Sequence, residues 1–169
     1  MLKNEKAKLI AIEGISFLMT AVVVFVVMYP IWTQFPEYKF NGTNIVYIVA
    51  FLTFTRYTFL LRYSFLATQQ NVKIGFILLT MIIILGLITQ IQDFNVWIDA
   101  GDPERLMPLV PQSKRDGLLN YIKSEFLFFA VGAIVASVFL SGRLMQSVWR
   151  MRNKEGVWRG SKDVVLSLK

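Results

Sequence analysis

The sequence contains no cysteine and no histidine among its 169 residues. These absences exclude disulfides, thiol nucleophiles, thiolate metal sites, histidine-ligated haem and histidine-dependent catalytic triads, because each needs a side chain that this chain lacks. Charged residues make up only 17% of the chain, whereas 55% is hydrophobic, and this balance is too apolar for a soluble domain of this length. The sequence therefore predicts a membrane protein without a cofactor, a metal site or a catalytic residue that a motif identifies.

Four long apolar runs account for the excess of hydrophobic residues. Each is close to or above the ~18 to 20 residues that a helix needs to cross ~30 Å of hydrocarbon, and backbone amides in lipid have to be paired within their own segment. Alternating strands, the pattern of a membrane β-barrel, are missing from the sequence. We therefore predict an all-α, four-helix transmembrane bundle over residues 1–148, with spans at about 9–33, 45–66, 74–91 and 125–148.

Basic residues separate the two sides of this arrangement. Twelve of the 18 Lys and Arg residues fall on the side that holds both termini, five fall on the opposite side, and Arg56 lies within a span. The positive-inside rule therefore predicts that both termini face the cytoplasm. The first apolar run is too long for a cleaved signal and no small-residue cleavage site follows it. This pattern favours a prokaryotic inner membrane, with organellar and endoplasmic membranes as alternatives.

Two segments outside the predicted spans are long enough to matter, an external loop at 92–124 and a basic tail at 149–169. Within the loop, the sequence Asp102-Pro103-Glu104 and the pair Ser113 and Asp116 are typical of helix starts, so we expect short interfacial helices there. The tail is too short to bury a core of its own, and it either extends the fourth helix or lies on the headgroups. Three of its basic residues are predicted to contact anionic lipids at the cytoplasmic face rather than nucleic acid: Arg150, Arg152 and Lys154.

Ionisable side chains within the predicted spans are candidates for function, because a charge at the centre of a helix in lipid costs ~2.5 to 3.5 kcal/mol. Arg62 lies four residues from the end of its span, about 6 Å deep, whereas Arg56 lies ten residues from either end and shares a face with Tyr63. Antiparallel packing brings Glu13 of the first helix to this level. We predict a salt bridge from Glu13 to one arginine, which leaves the other for a lipid phosphate, an anionic ligand or another subunit.

Small residues recur at spacings of four along the fourth helix. Such spacings let a second backbone approach closely, so this face is predicted to be a packing seam, either within the bundle or between protomers. Its members are Ala130, Gly132, Ala133, Ala136, Ser137 and Ser141.

Three functions remain open at this point. The first is a non-catalytic accessory or scaffold subunit of a larger membrane complex or homo-oligomer. The second is an ion channel or small-solute transporter with Glu13 and Arg56 in its pathway. The chain resembles the small multidrug exporters in helix count, topology and the carboxylate of its first helix, which implies transport, although the two arginines of helix two, the long outer loop and the basic tail depart from that family. The third is a lipid-active membrane enzyme, for which no paired-carboxylate spacing is present.

Overall fold

A computed structural model describes residues 2–61, 70–101 and 111–167. All regular secondary structure in these residues is helical and forms four long elements: α1 (Leu2–Gln34), α2 (Asn41–Leu60), α3 (Gln70–Asp99) and α4 (Gln112–Ser167). Each helix contains a segment long and apolar enough to cross a membrane: Ile10–Gln34, Asn41–Leu60, Val72–Asp99 and Lys114–Asn153. The prediction of an all-helical, multi-pass membrane protein is confirmed at this level.

The longest helix, α4, is the element on which the others assemble. Both α2 and α3 pack along it, whereas α1 packs mainly on α2. Contacts near the two ends of each pair show that α1 is antiparallel to α2 and that α3 is antiparallel to α4. These contacts are Glu13–Arg56, Trp32–Asn41, Lys73–Ser147 and Phe94–Phe126.

Aromatic rings fill one end of the helix assembly, which we call the aromatic end. The rings of Phe94 and Phe126 stack with centroids 3.8 Å apart, and Phe40 meets both of them edge to face. Offset-stacked and edge-to-face pairs each contribute about 0.5 to 1.5 kcal/mol beyond their burial. Several ring–ring contacts therefore stabilise the aromatic end, which is defined by Phe35, Tyr38, Phe40, Phe94, Trp97 and Phe126.

The small residues of α4 lie inside the chain. Ala130, Ala133 and Ser137 are fully buried, and a Cβ atom added to Gly132 would come within 2.8 Å of the Phe51 ring on α2. The absence of a side chain at Gly132 is therefore what lets α2 approach α4 so closely. The sequence left open whether this seam packs within the bundle or between protomers. Its buried members pack within one chain.

The connection between α3 and α4 is shorter than the external loop expected at 92–124. α3 continues to Asp99 and ends where Gly101 adopts a positive φ of 71°, a left-handed conformation typical of helix ends. α4 already begins at Gln112, so the segment that was expected to form a separate interfacial helix is the first part of α4. The expected helix start at Asp102-Pro103-Glu104 lies outside the described residues.

The physical reason for the early start of α4 is a continuous buried face. Between Leu118 and Leu144, side chains spaced by three or four residues are buried, so the core begins before residue 125. The basic tail extends the same helix to Ser167, which is one of its two expected forms. The buried positions that follow this spacing are Leu118, Ile122, Phe126, Phe129, Ala133, Ser137, Leu140 and Leu144.

We predict that Gly132→Leu destabilises the protein, whereas Gly142→Leu on the same helix does not. The larger side chain at Gly132 meets the Phe51 ring, which is itself held between Phe128 and Phe129, and overpacking of this kind costs about 1 to 3 kcal/mol. No atom lies within 4 Å of a Cβ at Gly142. Thermal unfolding in detergent measures both variants, and equal stability of the two would contradict the close α2–α4 contact.

Candidate functional site

An ion pair joins α1 to α2 near the start of the α1 span. The guanidinium Nη2 of Arg56 donates to the carboxylate Oε2 of Glu13, so Arg56 is the arginine that pairs with Glu13 among the described residues. The Arg56 side chain is 16% exposed and the Glu13 side chain is 17% exposed. Each charge is thereby neutralised by the other at the edge of the apolar spans, which reduces the free-energy cost of placing them there.

Aromatic groups complete the surroundings of this pair. The Tyr57 ring lies 4.9 Å from the Arg56 guanidinium carbon, and the Phe17 ring lies 6.0 Å from it. Both distances allow a cation–π attraction. The Tyr57 hydroxyl also lies 3.5 Å from Oε2 of Glu13, at the outer limit of a hydrogen bond. The site therefore combines one cation, one anion and two rings from two helices.

The predicted span at 45–66 puts Arg56 ten residues from either end. In the described residues α2 runs from Asn41 to Leu60, and Arg56 lies in its last two turns. The remaining residues of the predicted intramembrane group, Arg62 and Tyr63, lie outside the described residues.

Glu13, Ser16 and Thr20 form a polar stripe along α1 that makes few contacts with the other helices. Ser16 donates to the carbonyl of Ile12, and Thr20 donates to the carbonyl of Ser16, so both hydroxyls are satisfied within their own helix. They are consequently not committed to a neighbouring helix. Of this stripe, Glu13 is the member with a side-chain contact to α2 in the described structure.

A second polar cluster, which sequence reasoning missed, lies at the aromatic end. The amide Nδ2 of Asn44 donates to Oε2 of Glu125 over 2.6 Å, and the two residues are 0% and 8% exposed. Three polar atoms of this cluster are buried without a hydrogen-bond partner in the described part of the chain: Asn44 Oδ1, Glu125 Oε1 and the Tyr38 hydroxyl. We call Tyr38, Asn44 and Glu125 the buried polar cluster.

Electrostatics keep the Tyr38 hydroxyl protonated. Burial raises its pKa above the ordinary value, and the negative charge of Glu125 raises it further, because a tyrosinate would be poorly solvated and would face another anion. A protonated hydroxyl is a hydrogen-bond donor. The buried polar cluster therefore holds a donor and two acceptor oxygens that the described chain does not pair.

The sequence did contain a signal for this cluster. The predicted fourth span begins at residue 125, but α4 begins at Gln112, about 20 Å earlier along the helix axis. Leu118, Ile122 and Phe126 are spaced by four residues, which predicts an apolar helix face that runs past Glu125. No pattern within α2 alone distinguishes Asn44 from an interfacial asparagine.

Among the predicted headgroup residues, Arg150 and Arg152 are exposed on α4, and the Lys154 side chain lies outside the described part. No group of three or more acidic residues that could hold a metal ion occurs within the described ranges. Comparisons with protein-family models, with curated proteins and with solved structures found no match to this chain.

We predict that Glu13 and Arg56 are energetically coupled. Glu13→Gln and Arg56→Gln each leave one charge unpaired and lower the melting temperature in detergent, whereas the double variant loses less stability than the two single losses combined. The expected coupling is about 0.5 to 3 kcal/mol. Arg152→Gln, an exposed change on α4, is the control partner for Glu13→Gln. Strict additivity in both cycles would show that the ion pair does not hold α1 on α2.

Proposed function

We propose that the chain is a non-catalytic accessory or scaffold subunit of a larger membrane complex or homo-oligomer, and that α1 is the helix through which it associates. The observation that carries this proposal is the exposure of α1. From Ile10 to Val23, within a segment apolar and long enough to span a membrane, no side chain is buried. The other three helices each bury a face within the chain.

The way in which α1 is attached supports this assignment. Near the C-terminal end of α1, Met28 and Ile31 are buried, and the Trp32 indole N–H donates to the Asn41 side-chain oxygen over 2.7 Å. Its first part is held by the Glu13–Arg56 pair and the Tyr57 contact. In lipid, helices associate through close packing and polar contacts, since the hydrocarbon removes the hydrophobic drive between them. The half-covered stripe of Glu13, Ser16 and Thr20 offers both kinds of contact to another transmembrane helix.

The orientation is part of the same proposal. Lys73, Arg143 and Arg150 lie at the end of the assembly opposite to the aromatic rings, which we call the basic end. Both chain termini belong to this end, since α1 starts there and α4 finishes beyond it. The positive-inside rule favours a cytoplasmic basic end, in agreement with the prokaryotic inner membrane that the sequence predicts.

A second candidate, transport, is favoured by the buried polar cluster. A carboxylate and an amide that are buried with unpaired oxygens are costly unless a proton, a cation or a water molecule satisfies them. Intramembrane acids of this kind mark proton and ion pathways in transporters. We therefore base the transport hypothesis on Glu125 and Asn44, whereas the sequence suggested Glu13 and Arg56 for this role.

The accessory role predicts contact between another membrane protein, or a second copy, and the exposed side of α1. A photo-crosslinking residue in place of Leu18 on α1 is expected to give one product of discrete mass in native membranes. The same residue in place of Phe139 on α4 is the control, because both positions are 66% exposed. Native mass measurement after mild-detergent extraction is expected to show the same fixed stoichiometry. A monomeric mass, with no product or with equal products at both positions, would contradict the proposal.

The transport role predicts proton or cation flux in liposomes that depends on Glu125. Glu125→Gln retains the size of the side chain and removes its charge, so flux is expected to fall to the background of empty liposomes. Glu37→Gln is the matched control, because Glu37 is exposed in the connection between α1 and α2 and lies outside the spans. If the wild-type protein gives no flux, transport is rejected and the accessory role is untouched.

A further inference from the structure

The buried polar cluster brings one amide and one carboxyl group together across α2 and α4. Asn44 is 0% exposed and Glu125 is 8% exposed, and the amide Nδ2 of Asn44 donates to Oε2 of Glu125 over 2.6 Å. The other oxygens of the pair, Oδ1 of Asn44 and Oε1 of Glu125, are buried without a partner in the described part of the chain. Each group therefore has one satisfied atom and one unsatisfied oxygen.

The existing hydrogen bond keeps the two unsatisfied oxygens within reach of each other. Oδ1 shares a terminal carbon with Nδ2, and Oε1 shares one with Oε2. The last torsions of Asn and Glu side chains have broad minima, and rotation about them aligns Oε1 with Oδ1. Both oxygens are acceptors, but a carboxyl oxygen that carries a proton becomes a donor. A single proton on Oε1 therefore supplies the donor that both oxygens lack.

Aromatic rings make this part of the chain a poor environment for an unpaired charge. Phe126 follows Glu125 on α4 and stacks on Phe94 with ring centroids 3.8 Å apart, while Phe40 meets both rings edge to face. A buried carboxylate without its full set of hydrogen bonds loses much of its hydration energy, whereas a neutral acid paired with an amide loses far less. The neutral pair thus satisfies both side chains inside the protein.

A proton fits these atoms better than a metal ion does. Calcium takes about six to eight oxygen ligands and magnesium about six, whereas the cluster offers three unpaired polar atoms, one of which is the Tyr38 hydroxyl. That hydroxyl keeps its proton, because burial and the charge of Glu125 raise its pKa, so it is a neutral donor. The two remaining oxygens match the two ends of one hydrogen bond.

We propose that the buried polar cluster is a proton-binding site, in which a proton on Glu125 Oε1 closes a second hydrogen bond to Asn44 Oδ1. Binding forms one O–H bond at Oε1 and takes the proton from a hydronium ion, which leaves as water. Because the closed pair joins α2 to α4, the proton fastens the two helices and its release loosens them. The proposal rests on the transport role for its physiological purpose, but proton binding is an equilibrium property that is measured without flux.

The titratable groups around Glu125 define the pH range for a test. Tyr38, in the connection between α1 and α2, and Tyr121, one turn earlier on α4, both interact with its charge. From α3, Asp93 acts on the neighbouring Tyr47 of α2. Exposed carboxyl groups are ionised above about pH 6 and tyrosines stay protonated below about pH 9, so the titration of Glu125 is measured between these limits.

The first test compares the melting temperatures of the full-length wild-type and variant proteins in detergent between about pH 6 and 9. We expect the wild-type melting temperature to fall by at least about 2 °C as the pH rises, because the folded state loses its bound proton and one hydrogen bond with it. Glu125→Gln carries an amide N–H in place of the acid O–H, so it keeps both hydrogen bonds and abolishes this fall. Glu37→Gln, which changes an exposed carboxylate outside the spans, is the control and retains it.

The second test detects the proton directly. Infrared difference spectra of the protein in nanodiscs distinguish the C=O stretch of a carboxylic acid from that of a carboxylate. Within the same pH range we expect an acid band that Glu125→Gln removes and that Asn44→Leu shifts, because the leucine takes away the acceptor of the acid proton. Asn95→Leu, which changes an exposed asparagine of α3, is the control and leaves the band in place.

The outcomes separate this site from the transport role. An acid band that depends on Glu125, with no flux in liposomes, supports the proton site and rejects transport. Flux without such a band overturns the proton site and leaves transport of another cation. A wild-type melting temperature that rises with sodium or calcium, and that Glu125→Gln makes insensitive to these ions, would also overturn the proposal, since it identifies a metal-ion site.

Discussion

Polar groups within a membrane-spanning chain have to find their partners inside the protein, because hydrocarbon offers no hydrogen bonds. This constraint explains the polar side-chain contacts between the described helices. Glu13 and Arg56 tie α1 to α2, Asn44 and Glu125 tie α2 to α4, and Lys73 with Ser147 ties α3 to α4. Between these polar contacts the helices pack through aromatic, aliphatic and small side chains, which set the distance between their axes.

The two ends of the assembly are built differently, and this difference bears on function. At the aromatic end, stacked rings surround the buried polar cluster. At the basic end, a cavity of about 280 Å³ is lined by cationic side chains. The unpaired oxygens of the buried polar cluster suit the binding of a proton or a small cation. The first part of α1, which the chain itself scarcely covers, suits a neighbouring helix.

The sequence was informative where a single segment carried the signal. Composition and run length predicted four apolar helices, since the thickness of hydrocarbon imposes a length on any segment that crosses it. Acidic and proline residues at 92–124 favoured a loop there, whereas α4 begins at Gln112. The three- and four-residue spacing of Leu118, Ile122 and Phe126 is the pattern in the sequence that indicates the longer helix.

What the sequence determined by itself was the solvent of this protein, its helical content and the small set of polar side chains available within the spans, because these depend on local composition and on length. Only the tertiary structure decided which of those side chains meet. It pairs Glu13 with Arg56, encloses Asn44 with Glu125, and places Lys73 beside Ser147 in a cavity with two arginines. These partners are 43, 81 and 74 residues apart, so only the packing of whole helices, and no local pattern, brings them together.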